Sequence, residues 1–250
     1  MFRLSRHAGD SYITPVDPLT LAGNVLSLNL LDATSYTVSA GTVTSITNRI
    51  SGVAITEETN PPAFAANALS GRPCMIPDGT NDRMIGDEAA VVAAGTGTNS
   101  PITLFVAVDP IQPPAVNAAF FGFGNSGVAS NGTLWFGQTF NRARAEVVSN
   151  SGASVTRNSL FPLVGAPTVM VYVRDNTLDF RRRAGDDSKL NTFSTGAVTP
   201  DRFALFCRPD SAPDTFSRSR VGQFELFNRV LTNREIIGVC RHMLSAWGLA

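Results

Sequence analysis

The chain has 250 residues, of which 43% are hydrophobic and 16% charged, enough apolar material for one large core. Twenty basic and twenty acidic residues cancel, so there is no general attraction to nucleic acid or to an anionic membrane. Three cysteines without a CxxC pair argue against a disulfide framework, and two histidines, His7 and His242, are too few for a histidine-built metal centre.

The opening MFRLSRHAGD is charged and has no apolar h-region, and no run of about 18 apolar residues follows. Synthesis in a cytoplasm without a secretory signal or membrane insertion is the expectation. Residues 1–24, with Pro15, Pro18 and Gly23, read as an N-terminal arm or attachment segment, and 25–250 as a single domain. LSLNLLD (26–32) and GTVTSITNR (41–49) alternate as strands do. TNPPAFAANALSGRP (59–73) reads as a connection, since two consecutive prolines exclude a central strand. CMIPDGTNDRMIG (74–86) places an Asp-Gly turn between apolar flanks, and DEAAVVAAG (87–95) suits a short helix or a loop.

ITLFVAVD (102–109) is continuous, β-branched and aromatic, the pattern of a buried strand. Further strands are expected at 118–125, 132–140, 143–150, 167–175, 177–185, 202–209 and 221–231. Turn signals every eight to twelve residues favour a sandwich or barrel over βαβ units. The chain then changes character. Thr232 can cap a helix, Glu235 completes a capping box, and Gly248 stops it. Between them Ile236, Val239, Cys240, Met243, Leu244 and Trp247 form one apolar stripe, expected to pack on the sandwich.

That ending, Glu225-Leu226-Phe227-Asn228-Arg229-Val230-Leu231-Thr232 followed by Trp247-Gly248-Leu249, resembles the close of laminin-G-like, concanavalin A-like lectin-glucanase domains of the bacterial and phage type. LSLNLLDA stands where the family has "L-W-L-D-A", with Asn29 in place of Trp. Asn67, Leu69, Gly71, Pro73, Asp78, Gly79 and Asp82 match the family's "N-x-L-N-G-x-P…D-G-x-D-D" stretch, with Pro77 where Phe is common. The resemblance covers residues 25–249 and implies an all-β, two-sheet antiparallel jelly-roll sandwich with a short C-terminal helix packed on it. Its motifs are structural, so they speak to fold more than to function.

Chemistry is sparse. Glucanases of this fold place carboxylates on alternate residues of one strand, and none of the six Glu residues has an Asp two positions on. No G-x-S-x-G, H-E-x-x-H or P-loop occurs, and GFGNSG (122–127) reads as a hairpin turn. Asp78, Asn81 and Asp82 offer oxygens for Ca²⁺, the one cofactor candidate, against the plainer reading of a turn tied to backbone amides. Trp135, Phe136 and Phe140 could stack on sugar rings, with Arg142 and Arg144 nearby; an excess of Phe over Trp and Tyr argues for core packing instead. Arg181-Arg182-Arg183 and Asp186-Asp187 read as solvated ends.

The function expected from these observations is non-enzymatic: a structural component of a phage virion, as a capsid decoration, fibre or tail-associated protein. Its expected partners are other virion proteins, further copies of itself and a host-surface glycan. A stand-alone carbohydrate-binding module and a glycoside hydrolase are the alternatives.

Overall fold

A computed structural model describes residues 13–57, 59–98, 100–111, 117–127, 132–139, 142–148, 150–152, 154–162, 167–175, 178–182, 188–190, 197–209 and 215–249. Seventeen strands, numbered along the chain, form two antiparallel layers. The first runs in space β1 (Asn24–Asn29), β17 (Ser219–Phe227), β8 (Ile102–Pro110), β13 (Thr168–Arg174), β14 (Leu178–Arg182) and β15 (Ser188–Leu190). The second runs β12 (Ser154–Pro162), β11 (Arg142–Val148), β10 (Thr133–Thr139), β9 (Asn117–Gly124), β16 (Arg202–Leu205), β7 (Met84–Gly86), β4 (Ala54–Thr56), β3 (Thr42–Thr47) and β2 (Tyr36–Ser39). The hairpin of β5 (Ala63–Leu69) and β6 (Arg72–Ile76) bridges the layers, pairing Thr42 with Ala63 and Met75 with Val221. The expected all-β sandwich is the fold.

Strand pleating assigns the faces. Phe121 packs against Phe224 with ring centroids 6.4 Å apart, so Phe224 and Leu226 of β17 point between the layers together with Phe121 and Phe123 of β9. Tyr172 of β13 crosses the gap: its hydroxyl donates to the Gly137 carbonyl of β10 at 2.7 Å, and its ring lies 5.4 Å from Phe136. Residues one step along, Gln223, Glu225 and Phe227, therefore face outward on the first layer.

That outward face is covered by α2 (Asn233–Trp247), which lies over β8 and β13. Thr232 and Glu235 form the expected capping box, and Gly248 closes the helix in the left-handed conformation at φ 63. Ile236, Val239, Cys240, Met243 and Trp247 are all buried. The arm also lies here: the Val16 amide donates to the Gly238 carbonyl, and Arg241 donates to the Ile13 carbonyl. Gly238 is where the arm meets the helix, since a Cβ there would lie 2.6 Å from Val16 Cγ2. Gly238→Ala should therefore loosen the arm despite the better helix propensity of Ala. Faster hydrogen exchange at the Val16 amide is the expected signature; unchanged exchange would show that the contact is not limiting.

Other expectations fare unevenly. Residues 87–95 contain a helix, α1 (Ala89–Gly95). The stretch 59–73 is not a plain connection: β5 starts one residue after Pro62, on a largely exposed strand. The flanks of the Asp-Gly turn do not pair with each other, because β6 joins β5 and β17 while β7 joins β16 and β4. All three cysteines are buried and unbridged. Among the described residues no helix is long and apolar enough to cross a membrane.

Candidate functional site

With the first layer's outer face occupied by helix and arm, the second layer's outer face is the remaining broad surface. On β16, Phe203 stacks on Phe121 inside, which sends Arg202 and Ala204 outward. Their register neighbours follow: Ala204 opposite Ile85 of β7 and Gly122 of β9, Arg202 opposite Gly124, and Thr56 of β4 opposite Ile85. The result is an open depression of about 530 Å³ lined by Thr56, Ile85, Asp87, Ser126, Asp201 and Arg202, among others.

Its polar rim is organised. The Ser126 amide donates to Asp201 Oδ1 at 2.8 Å and the Ser126 hydroxyl donates to Asp201 Oδ2. Although partial desolvation pushes the Asp201 carboxyl up, these two bonds and the Arg202 charge hold it below the usual range, so it stays ionised. Arg202 is oriented by its Nε–H, which donates to the Pro209 carbonyl at 2.8 Å. Asp87 is exposed at the strand end. The wall combines one apolar side chain with hydroxyls, carboxylates and a guanidinium. Such a set can receive an apolar sugar face and its hydroxyls together.

The residues singled out from sequence lie elsewhere on the same face, in part. Arg144 Nη2 donates to Glu146 Oε2 at 2.7 Å and to Thr156 Oγ1 at 3.2 Å, with its guanidinium 5.5 Å from the Trp135 ring centre. Arg142, two residues before, is exposed. Trp135 is fully buried, beside Gly122 and the segment carrying Cys207 and Pro209, so its ring presents no open face to a sugar. Its indole Nε1 has no hydrogen-bond partner among the described residues. Phe136 is an interior core residue. Phe140, Arg183, Asp186 and Asp187 lie outside the described residues.

Asp78, Asn81 and Asp82 form a turn whose oxygens are engaged internally. Asp78 Oδ1 accepts from the Thr80 and Asn81 amides at 2.7 and 3.2 Å, and Asp82 Oδ2 accepts from the Asp78 amide at 2.9 Å. Asn81 Nδ2 donates to Asn60 Oδ1. Among the described residues no three His, Cys, Asp or Glu side chains gather as a metal would require. The melting temperature should be the same with calcium and with a chelator; a calcium-dependent rise abolished by Asp78→Asn with Asp82→Asn would restore a metal role.

No family model matches the chain, and no curated protein matches it. Solved structures do. The CBM40 of Ruminococcus gnavus IT-sialidase aligns with 61% of this chain and 88% of its own at 11% identity, TM-score 0.50. Trypanosoma rangeli sialidase in complex with the inhibitor DANA aligns with 92% of this chain at 18% identity, TM-score 0.56. This chain spans only 35% of that sialidase. At such identities the likeness establishes architecture alone: an antiparallel β-sandwich.

Proposed function

We propose that this chain is a non-enzymatic, lectin-like domain that binds a glycan in the depression on the outer face of its second sheet. The observation that carries this reading is the depression itself: Ile85 offers an apolar patch, while Thr56, Ser126, Asp87, Asp201 and Arg202 place donors and acceptors around it. The similarity in fold to a carbohydrate-binding module supports it. Titration of neutral and charged oligosaccharides, followed by NMR shifts, should locate binding at Ile85, Ser126 and Arg202. Shifts confined to another surface, or no binding, would overturn it.

The setting we propose is a phage particle, with the domain as a decoration, fibre or tail-associated protein contacting other virion proteins and further copies of itself. The resemblance carried by Glu225–Thr232 and Trp247–Leu249 supports this part. Mass spectrometry of gradient-purified particles should find the chain in constant stoichiometry; recovery only outside the particle fraction would refute it.

A glycoside hydrolase is the second reading, because Asp87 and Asp201 line one depression and such enzymes work with two carboxyl groups. The non-enzymatic reading expects no release of reducing ends from any oligosaccharide that binds. Release that disappears in Asp87→Asn would favour the hydrolase.

A further inference from the structure

The depression is unevenly charged. Two carboxylates, Asp87 and Asp201, line it against one guanidinium, Arg202. Arg202 is also the cation whose charge reaches Asp201. Asp201 is held as an anion by the Ser126 amide and hydroxyl, so a ligand cannot readily neutralise it by protonation. Elsewhere on this face Arg144 is ion-paired with Glu146 at 2.7 Å, which cancels its field. Arg142 lies on β11, separated from β16 by β10 and β9. At about 4.8 Å per strand that spacing exceeds the Debye length of about 8 Å at physiological salt. Among the residues that line the depression the charge is therefore negative by one.

A carboxylate is also a good partner for sugars in a specific way. It accepts two hydrogen bonds side by side, from neighbouring hydroxyls or from an ammonium and an adjacent hydroxyl. It repels a ligand carboxylate at the same distance. Asp87 lines the depression and is exposed, so it is open to a ring substituent of a bound sugar.

We propose that this site selects sugars bearing a free amino group, accepts neutral sugars, and rejects acidic ones. The inference rests on the depression being the glycan site. Asp87 meets the ammonium, Asp201 accepts from a ring hydroxyl, and Arg202 donates to a ring or hydroxyl oxygen. Because Asp87 is solvated, the preference is modest: a single exposed ion pair corresponds to roughly twofold to fivefold in affinity at physiological salt.

Isothermal titration with four probes tests this: a glucosamine trimer, its fully N-acetylated counterpart, sialyllactose and lactose. The expected order is glucosamine trimer tighter than its N-acetylated form by roughly threefold, and lactose tighter than sialyllactose. Raising the salt should shrink both ratios. Asp87→Asn, on an exposed side chain, should abolish the preference for the amine, bringing the ratio of the two trimers' affinities to one, with the melting temperature reporting an intact fold. Tighter binding of sialyllactose than lactose, or equal binding of the two trimers at low salt, would overturn the selectivity while leaving the glycan reading intact. Failure of every probe, charged and neutral, would instead refute the glycan reading beneath it.

Discussion

Trp247→Ala should cost about 4 kcal/mol of unfolding free energy, the upper range for truncating a buried aromatic. The indole is completely buried and lies directly over Gly222 of β17, where an added Cβ would come within 2.2 Å of the ring. Truncation removes this packing between helix and sheet. A polar loss adds to it. Trp247 Nε1 donates to Gln223 Oε1 at 2.7 Å, and Gln223 Nε2 donates in turn to Glu225 Oε1 at 2.6 Å. Removing the indole orphans a buried acceptor. Trp247→Phe keeps most of the packing and loses the hydrogen bond, so it should fall between, near 1–2 kcal/mol. Urea unfolding of the three proteins measures both terms; a loss under about 1 kcal/mol for the alanine variant would show that α2 is not part of the cooperative core.

Glu225 gives the second large effect, and its sign is opposite to that of most carboxylates. Burial pushes its pKa from 4.5 to about 7, against the lowering influence of hydrogen bonds from Gln223, Asn24 and Ser27. The folded state therefore holds a proton that the unfolded state has released between pH 4.5 and 7. Stability from this group is fully present below pH 4.5 and declines as pH rises to about 7, by about 3 kcal/mol in all at about 1.4 kcal/mol per pH unit. Glu235 works the other way: the hydrogen bond from Arg229 holds it near 2, so its contribution is lost only as pH falls below 4.5. The stability maximum should lie on the acid side of neutrality. Glu225→Gln stays neutral at every pH, and unfolding free energies at pH 5 and pH 8 should differ less in the variant than in the parent. Equal differences would mean that Glu225 remains an anion throughout. Its three neighbours donate 2.6 to 2.9 Å bonds, while Asn24 Oδ1 is buried without a donor of its own.

The parts of this fold legible in sequence are those whose signals are local. Thr232, Glu235 and Gly248 define both ends of α2 by side-chain and backbone chemistry within a few residues. The β8 stretch is apolar throughout because both its faces are covered, by the core and by the helix. β5 escaped because Ala63, Ala65, Ala66 and Asn67 are poor strand formers; its place comes from pairing with β6 rather than from propensity. β4 is only three residues long, too short to show an alternation, and its place also comes from pairing.

The candidate site was almost wholly illegible. Ser126 and Asp201 are 75 residues apart and look like an ordinary turn and an ordinary strand start. Only the register of β9 with β16 brings them together. Trp135 carried the strongest apparent sugar-binding signal, but the Cys207–Pro209 segment folds over its neighbour Gly122, and nothing near Trp135 in the sequence announces that cover. An aromatic residue reports its own size and polarity, not what lies above it.

The shared seat of arm and final helix gives the molecule a front and a back. Ile13 and Leu249 both leave from the side of the first sheet, whereas the depression opens on the opposite side. A tether attached at either end would hold the domain by its back and turn the depression toward whatever approaches. Anchoring the chain to a sensor chip on that side is therefore the orientation that leaves the depression most accessible.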